Sequence, residues 1–195
     1  MTPQREHQTE LETERLLLTR PDENDAADIA ELANNWAVVE HLANLPHPYG
    51  PDDARQWIER RSQGQEGEAN FAIRLRRLDP KLIGVIGYGA LADSTLGHFG
   101  YWLGEPYWGQ GYATEAALAV LGHAFEHLAV AEIHTGCRPG NTGSRHVLAK
   151  CGFDLVGTGM MNSLPLKSEV PTLKYTLTRK AWRHRIPVTI RATTG

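Results

Sequence analysis

Tyr101-Trp-Leu-Gly-Glu-Pro-Tyr-Trp-Gly-Gln-Gly-Tyr-Ala-Thr-Glu115 is the stretch that decides how the chain reads. It begins as strand-forming sequence and passes through a turn carrying Gly109 and Gly111. It then opens Ala113-Thr-Glu-Ala-Ala-Leu-Ala-Val-Leu121, which reads as a long helix ending near Leu128. Glycine lets the backbone approach a ligand without Cβ obstruction. A helix start aims unpaired N–H groups, and the positive end of its dipole, at the same spot. Such a place suits a phosphate or pyrophosphate. A tight turn with no ligand would use the same glycines, and short glycine motifs often match by chance. The turn lacks the Gly-Lys-Ser/Thr of a P-loop and a complete G-x-G-x-x-G with its acidic ribose partner. Neither a P-loop nor a Rossmann site is expected.

Working outward, three short strand-like runs precede the turn: Asn70 to Leu75, Leu82 to Leu91 and Leu96 to Leu103. Their closeness predicts an antiparallel meander. After the helix come a strand over Glu132 to Cys137, a turn at Pro139-Gly140-Asn141, and a helix over Thr142 to Lys150 stopped by Gly152. The strand-helix-strand unit from Leu96 to Cys137 implies parallel pairing through a right-handed crossover. Final strands are expected at Phe153–Val156 and Leu173–Leu177. Upstream, Arg15 to Thr19 reads as a buried strand. A helix capped by Asp22 or Asn24 runs to about Asn34, with Ala26, Ile29, Ala30 and Ala33 at helical spacing. His41 to Gly50 reads as a loop, and Pro51 opens a second helix. The order β-α-α-β-β-β-α-β-α-β-β describes a mixed α/β (α+β) domain. Residues 1–12 are expected to be a flexible arm, 13–182 a single domain, and 183–195 a mildly basic tail that is solvated or makes a dimer contact.

The 195 residues, 41% hydrophobic and 22% charged, suit one globular core. A net charge of -3 with no basic face argues against nucleic acid. No apolar stretch approaches a bilayer span and the start is polar and acid-rich, so no membrane partner and a cytoplasmic location are expected. Two cysteines, Cys137 and Cys151, suggest small core residues in a reducing compartment rather than a disulfide framework.

Phe99-Gly-Tyr-Trp-Leu103 followed by Tyr107-Trp-Gly-Gln-Gly-Tyr-Ala-Thr-Glu-Ala116 resembles the acetyl-CoA motif of the GNAT N-acetyltransferases. It is most similar to their branch of ribosomal-protein N-terminal alanine acetyltransferases. Cys137-Arg-Pro-Gly-Asn-Thr-Gly-Ser144, Lys150-Cys-Gly-Phe153, Asn44-Leu-Pro-His-Pro-Tyr49 with Asp53-Ala54 and Trp57-Ile58, and the opening Thr13-Glu-Arg-Leu-Leu-Leu18 match the same branch. Together they span residues 13 to 182. Trp108 stands where the general pattern has Gln or Arg, a common departure in this branch.

The resemblance implies a mostly antiparallel sheet flanked by helices, whose fourth and fifth strands, Leu96–Leu103 and Glu132–Cys137, run parallel and splay apart around the pantetheine arm of acetyl-CoA. Backbone groups of Tyr101 and Leu103 would bind that arm. The segment Gly109, Gln110, Gly111, Tyr112, Ala113 and Thr114 would hold the pyrophosphate. Asn141 would contact the arm and Ser144 would lie near the sulfur, although helix capping alone would also explain both. No metal is implied. The chemistry is aminolysis of a thioester, which needs a neutral amine, a donor for the oxyanion and help for a thiolate whose pKa is about 8.5. No Gly-x-Ser-x-Gly elbow occurs, in keeping with direct attack. Glu40, before the Pro46–Tyr49 loop, is the candidate base, with His41 beside it. Glu169 is the acid nearest the place before the last strand where that branch often carries one, with Pro171 close to it, which leaves the acceptor open between a protein N-terminus and a small amine. A monomer or homodimer fits equally. The alternative is a non-catalytic acyl-CoA sensor on the same fold.

His123-Ala-Phe-Glu-His127 formally matches the zinc motif H-x-x-E-H, but the apolar face formed by Val120, Leu121, Ala124, Phe125 and Leu128 turns both histidines towards solvent. His98 and His134 are expected on strands, facing each other or the cleft, and Trp36, Trp57 and Trp182 are expected to pack.

Overall fold

The computed structural model describes residues 10–62, 67–77, 80–90, 96–184 and 191–193. The chain enters as β1 (Glu10–Glu12) and turns back into β2 (Leu16–Thr19), pairing Leu11 with Leu18. The last three residues of the expected arm are therefore strand. Asp22 caps a short 3-10 turn with a reciprocal capping box to Asp25, and α1 (Ala26–Ala33) follows with Ala26, Ile29, Ala30 and Ala33 buried as their spacing requires. A four-residue helix, α2 (Trp36–Val39), occupies what reads as the approach to a loop, its start capped by the Asn35 side chain. Pro51 opens α3 (Pro51–Ser62), where the Gly50 N–H donates to Asp53 Oδ2 at 2.8 Å.

The meander forms as expected from β3 (Glu68–Leu75), β4 (Leu82–Ala90) and β5 (Leu96–Leu103). Then come α4 (Tyr112–His127), β6 (Glu132–Cys137) and α5 (Thr142–Cys151), the last stopped at Gly152 in the left-handed region. The two final strands are longer than their apolar runs: β7 (Asp154–Ser163) and β8 (Ser168–Thr178) make one hairpin with an irregularity between Leu155 and Gly157. Their polar outer halves hide them from a hydrophobic pattern. α6 (Arg179–Arg183) and β9 (Arg191–Thr193) close the described chain, and β9 pairs with β1, which puts three tail residues into the sheet.

Among the described residues the sheet has nine strands in the order β7-β8-β6-β5-β4-β3-β2-β1-β9. Only β5 and β6 run parallel. Period-two alternation divides the core between its faces. Phe71, Ile73, Tyr101 and Leu103 join the cluster under α4, whereas Ala72 and Trp102 join the cluster under α1 and α3.

Two side chains, His123 and Trp36, depart from the sequence reading. His123 is 6% exposed rather than solvent-facing. The sheet covers α4 over so wide a stripe that every position from Ala119 to Phe125 is buried. The Tyr88 hydroxyl meets His123 Nδ1 at 2.7 Å, and the ring of His127 stacks on it at 4.0 Å. Among the described residues no group of three or more His, Cys, Asp or Glu is placed to hold a metal ion. Trp36 is 46% exposed and stands edge-on to His47, whereas Trp182 stacks on Phe125 as a packing residue should. His98 and His134 do face each other in register. Both cysteines are buried, and neither forms a disulfide.

Candidate active site

The parallel pair is short. Leu96, Gly97 and His98 match Glu132, Ile133 and His134, and there the ladder stops, although β5 continues to Leu103 and β6 to Cys137. The strands part beyond His98 and leave a gap. Which backbone groups face it follows from the other edge of β5. The Gly104 N–H donates to the Ile83 carbonyl at 2.9 Å, so groups two residues back, on Trp102 and then Gly100, also face β4. Those of Tyr101 and Leu103 point the opposite way, into the gap. This is an unpaired strand edge inside a fold, able to take an added strand or an extended ligand. The indole N–H of Trp108 already donates to the Leu103 carbonyl at 2.8 Å, so that acceptor is half-used by the protein.

At the end of β5 the chain passes the glycine turn. Gly109 and Gly111 have φ of 74° and 83°, a conformation that a Cβ disfavours, so glycine is required there by backbone geometry as well as by access. Gly111 is the N-cap of α4, and no side chain caps that end among the described residues. The first-turn N–H groups therefore face the cleft with the positive end of the helix dipole. A clamp from β2 holds this turn. The Arg15 Nε donates to Glu115 Oε2 at 2.7 Å, its backbone N–H to Glu115 Oε1 at 2.8 Å, and its Nη1 to the Gln110 carbonyl at 3.0 Å. Thr13 Oγ1 donates to Glu115 Oε1 at 2.6 Å, and the guanidinium lies 4.7 Å from the Tyr112 ring centroid. The paired motif residues Thr13, Arg15 and Glu115 were visible in sequence, but nothing there joined them across a hundred positions.

On the other side of the gap, Asn141 Oδ1 accepts the Ser144 N–H at 2.9 Å and caps α5. That bond orients Ser144, whose Oγ lies 3.0 Å from the Tyr101 hydroxyl. Burial pushes the Tyr101 phenol well above its ordinary pKa, with the Ser144 hydrogen bond opposing, so the phenol stays protonated as a donor. The buried Cys137 thiol also contacts Ser144, and burial pushes its pKa up, which leaves it inert as a nucleophile.

One cleft of about 500 Å³ joins these parts. It is lined by Tyr101, Leu103, Gly109, Gly111, Tyr112, Ala113, Thr114, Asn141 and Ser144 from the expected set. Gln110 is not in that lining; its side chain turns back to donate to the Pro106 carbonyl at 2.9 Å. Glu40 is also outside it. Its Oε2 is 3.5 Å from Arg138 Nη1, which donates at 2.8 Å to the Glu40 carbonyl as well. What lines the cleft from that region is Val38, His41 and Leu42. The reason is that α2 bridges the mouth of the gap. Asn35 Nδ2 donates at 2.6 Å to Glu105 Oε2 beyond the end of β5, and Glu40 meets Arg138 just beyond the end of β6. His146, Val147 and Lys150 of α5 complete the opposite wall.

A parted parallel pair with an open strand edge, leading to a glycine-rich turn at a helix N-terminus, defines a site for an extended ligand that ends in phosphate. Residues 15–154 match the family model described as the acetyltransferase (GNAT) domain, and the chain belongs to that family. A relative from Bacillus licheniformis, the N-acetyltransferase p20, is 29% identical over 150 residues, 75% of this chain and 83% of that protein. Among solved structures, RimJ of Mycobacterium smegmatis in complex with CoA-disulfide superposes with a TM-score of 0.75 at 21% identity, covering 95% of each chain. The microcin C7 self-immunity acetyltransferase MccE in complex with acetyl-CoA and AMP gives 0.73 at 19% identity, covering 85% of this chain and 93% of that one. At such identities these structures speak for the fold. The chain is an acetyl-CoA-dependent N-acetyltransferase, and no helix among its described residues is long and apolar enough to cross a membrane.

Proposed function

We propose that the chain transfers the acetyl group of acetyl-CoA to a primary amine, a protein N-terminus or a small molecule, by direct attack in the gap between β5 and β6. The parting of these strands after three register pairs, with the Tyr101 and Leu103 edge turned inward, carries this reading. The pantetheine arm lies against that edge as an added strand. The N–H groups from Gly109 to Thr114 hold the pyrophosphate, Gln110 through its backbone alone, and Asn141 and Ser144 border the arm near the sulfur. The amine nitrogen attacks the thioester carbonyl, the C–S bond breaks, and the sulfur leaves as the thiol. The Ser144 hydroxyl, itself a hydrogen-bond partner of Tyr101, donates to the departing sulfur while a proton of the attacking nitrogen takes its place. No enzyme nucleophile is required. One domain over residues 13–182 carries all of these parts, and two buried cysteines outside any disulfide agree with a reducing, cytoplasmic setting.

The test is thiol release from acetyl-CoA against a panel of N-terminal peptides and small amines. Release that depends on the acceptor, with acetylated product in equal amount, is expected. Tight acetyl-CoA binding with no release for any amine would leave a binding module instead.

A further inference from the structure

We infer that His41 is the group that takes the proton from the incoming ammonium. This rests on the reading of the cleft as an amine acetyltransferase site. A cationic amine cannot attack, so its proton must pass to a base within reach of the reacting nitrogen. The carboxylates near the cleft are committed elsewhere. Glu40 is paired with Arg138, Glu105 accepts from Asn35, and neither lines the cleft. Among the described lining residues there is no Asp or Glu at all.

His41 does line it, at the point where α2 crosses the mouth of the gap. Its backbone is pinned from both sides. Arg138 holds the Glu40 carbonyl at 2.8 Å, the His41 N–H donates to Val38, and the Ala43 carbonyl accepts the Leu164 N–H of the β7–β8 hairpin at 2.8 Å. A loop anchored on two neighbouring elements keeps a side chain in place for proton transfer. The ring Nδ1 is buried without a hydrogen-bond partner among the described residues. In the Nδ1–H tautomer the lone pair available to accept a proton is on Nε2.

The groups around it set its company. Arg138 flanks the loop, and Lys150 and His146 stand on the α5 wall. His47 lies on the same loop, Lys167 and Glu169 on the β7–β8 hairpin, and Tyr101, Tyr107 and Tyr112 present phenols. Of these, His146 alone is another imidazole in the lining, and it sits exposed on α5. The step balances simply. One ammonium proton passes to Nε2, directly or through one water. The freed amine attacks, its second proton ends on the coenzyme thiol, and imidazolium returns its proton to solvent.

The experiment is a set of pH–rate profiles for the whole chain and for His41→Gln, with two acceptors chosen from those the parent acetylates. One is an alkyl amine, cationic at neutral pH, and the other an aromatic amine, already neutral there. With the alkyl amine, kcat/KM at pH 7 should fall by roughly a hundredfold, within the range for general-base assistance, and the acid limb of the profile should move to more alkaline pH. The deficit should shrink with the aromatic amine and at alkaline pH, while the acetyl-CoA Kd stays within twofold. A deficit equal for both amines and at every pH would reduce His41 to a packing residue and overturn the assignment. So would an unchanged profile, or that displacement of the acid limb in His146→Gln but not in His41→Gln. A parent that binds acetyl-CoA yet acetylates no amine would overturn the acetyltransferase reading itself, and the role of His41 with it.

Discussion

Gly111 serves both the backbone and the ligand site. Its φ of 83° costs a β-branched residue about 1–3 kcal/mol, and a Cβ there would stand 3.3 Å from Arg15 Nη2, the clamp that holds the turn. Gly111→Val should therefore stay folded but lose acetyl-CoA affinity at least tenfold; calorimetric titration against the parent checks this, and equal affinities would move the pyrophosphate site elsewhere. Glu115 is the other half of the clamp. Burial pushes its carboxyl pKa up, but the hydrogen bonds from Thr13 and Arg15 outweigh it and hold the carboxyl below the usual range. On the far wall, Ser144→Ala removes the hydroxyl and keeps the Asn141 cap, because the cap uses the Ser144 N–H. Turnover should drop by roughly ten- to a hundredfold while acetyl-CoA affinity changes little. Stopped-assay kcat beside a binding isotherm separates the two, and an unaltered kcat would leave Ser144 only its hydrogen bond to Tyr101.

The element that does most with least is α2. Four residues are far too few to hold a helix by propensity, so its position depends on the Asn35–Glu105 contact at one end and the Arg138–Glu40 contact at the other. Breaking the second should free the loop that carries His41 while leaving the coenzyme wall untouched. Arg138→Gln is expected to raise the acceptor KM severalfold and leave the acetyl-CoA Kd within a factor of two. A parallel loss in both would mean that the strap supports the whole cleft. This element was illegible in the sequence for a physical reason. A single turn has no periodicity to read, and its Asn35 cap looks like any loop asparagine. The same limit applies to Glu40, the candidate base read from the sequence, and to His41 beside it. Their order along the chain was plain, but which of them turned into the cleft depended on Arg138, almost a hundred residues away. The glycine turn was legible because its requirement is local: positive φ at Gly109 and Gly111 is written in the residues themselves.

For the whole molecule, the β3–β4–β5 meander and the parallel β5–β6 pair were implied by short connections and one crossover, while the insertion of β8 between β6 and β7, the placement of β1 and β9 at one edge and the depth at which α4 sits required the assembled sheet. His123 shows the consequence. Helical spacing placed it outside, but the sheet buries it against Tyr88 and Phe71, and burial, with His127 adding a smaller effect of the same sign, lowers its pKa from 6.5 to about 4. The folded state then binds fewer protons than the unfolded state between those two values, so stability rises with pH across that interval. It is fully present above about 6.5, falls as the unfolded His123 takes up a proton, and levels off below about 4, a loss on the order of 3 kcal/mol. Glu115, whose folded pKa is depressed, adds a separate loss only further into acid, as pH falls below the ordinary carboxylate value. Urea unfolding of the parent should show a lower midpoint at pH 5 than at pH 7. In His123→Gln the difference between the two pH values should shrink by the share that His123 contributes, although the variant starts less stable because the Tyr88 hydroxyl loses its partner. An equal pH dependence in both proteins would show that His123 is not the residue through which the core senses acid.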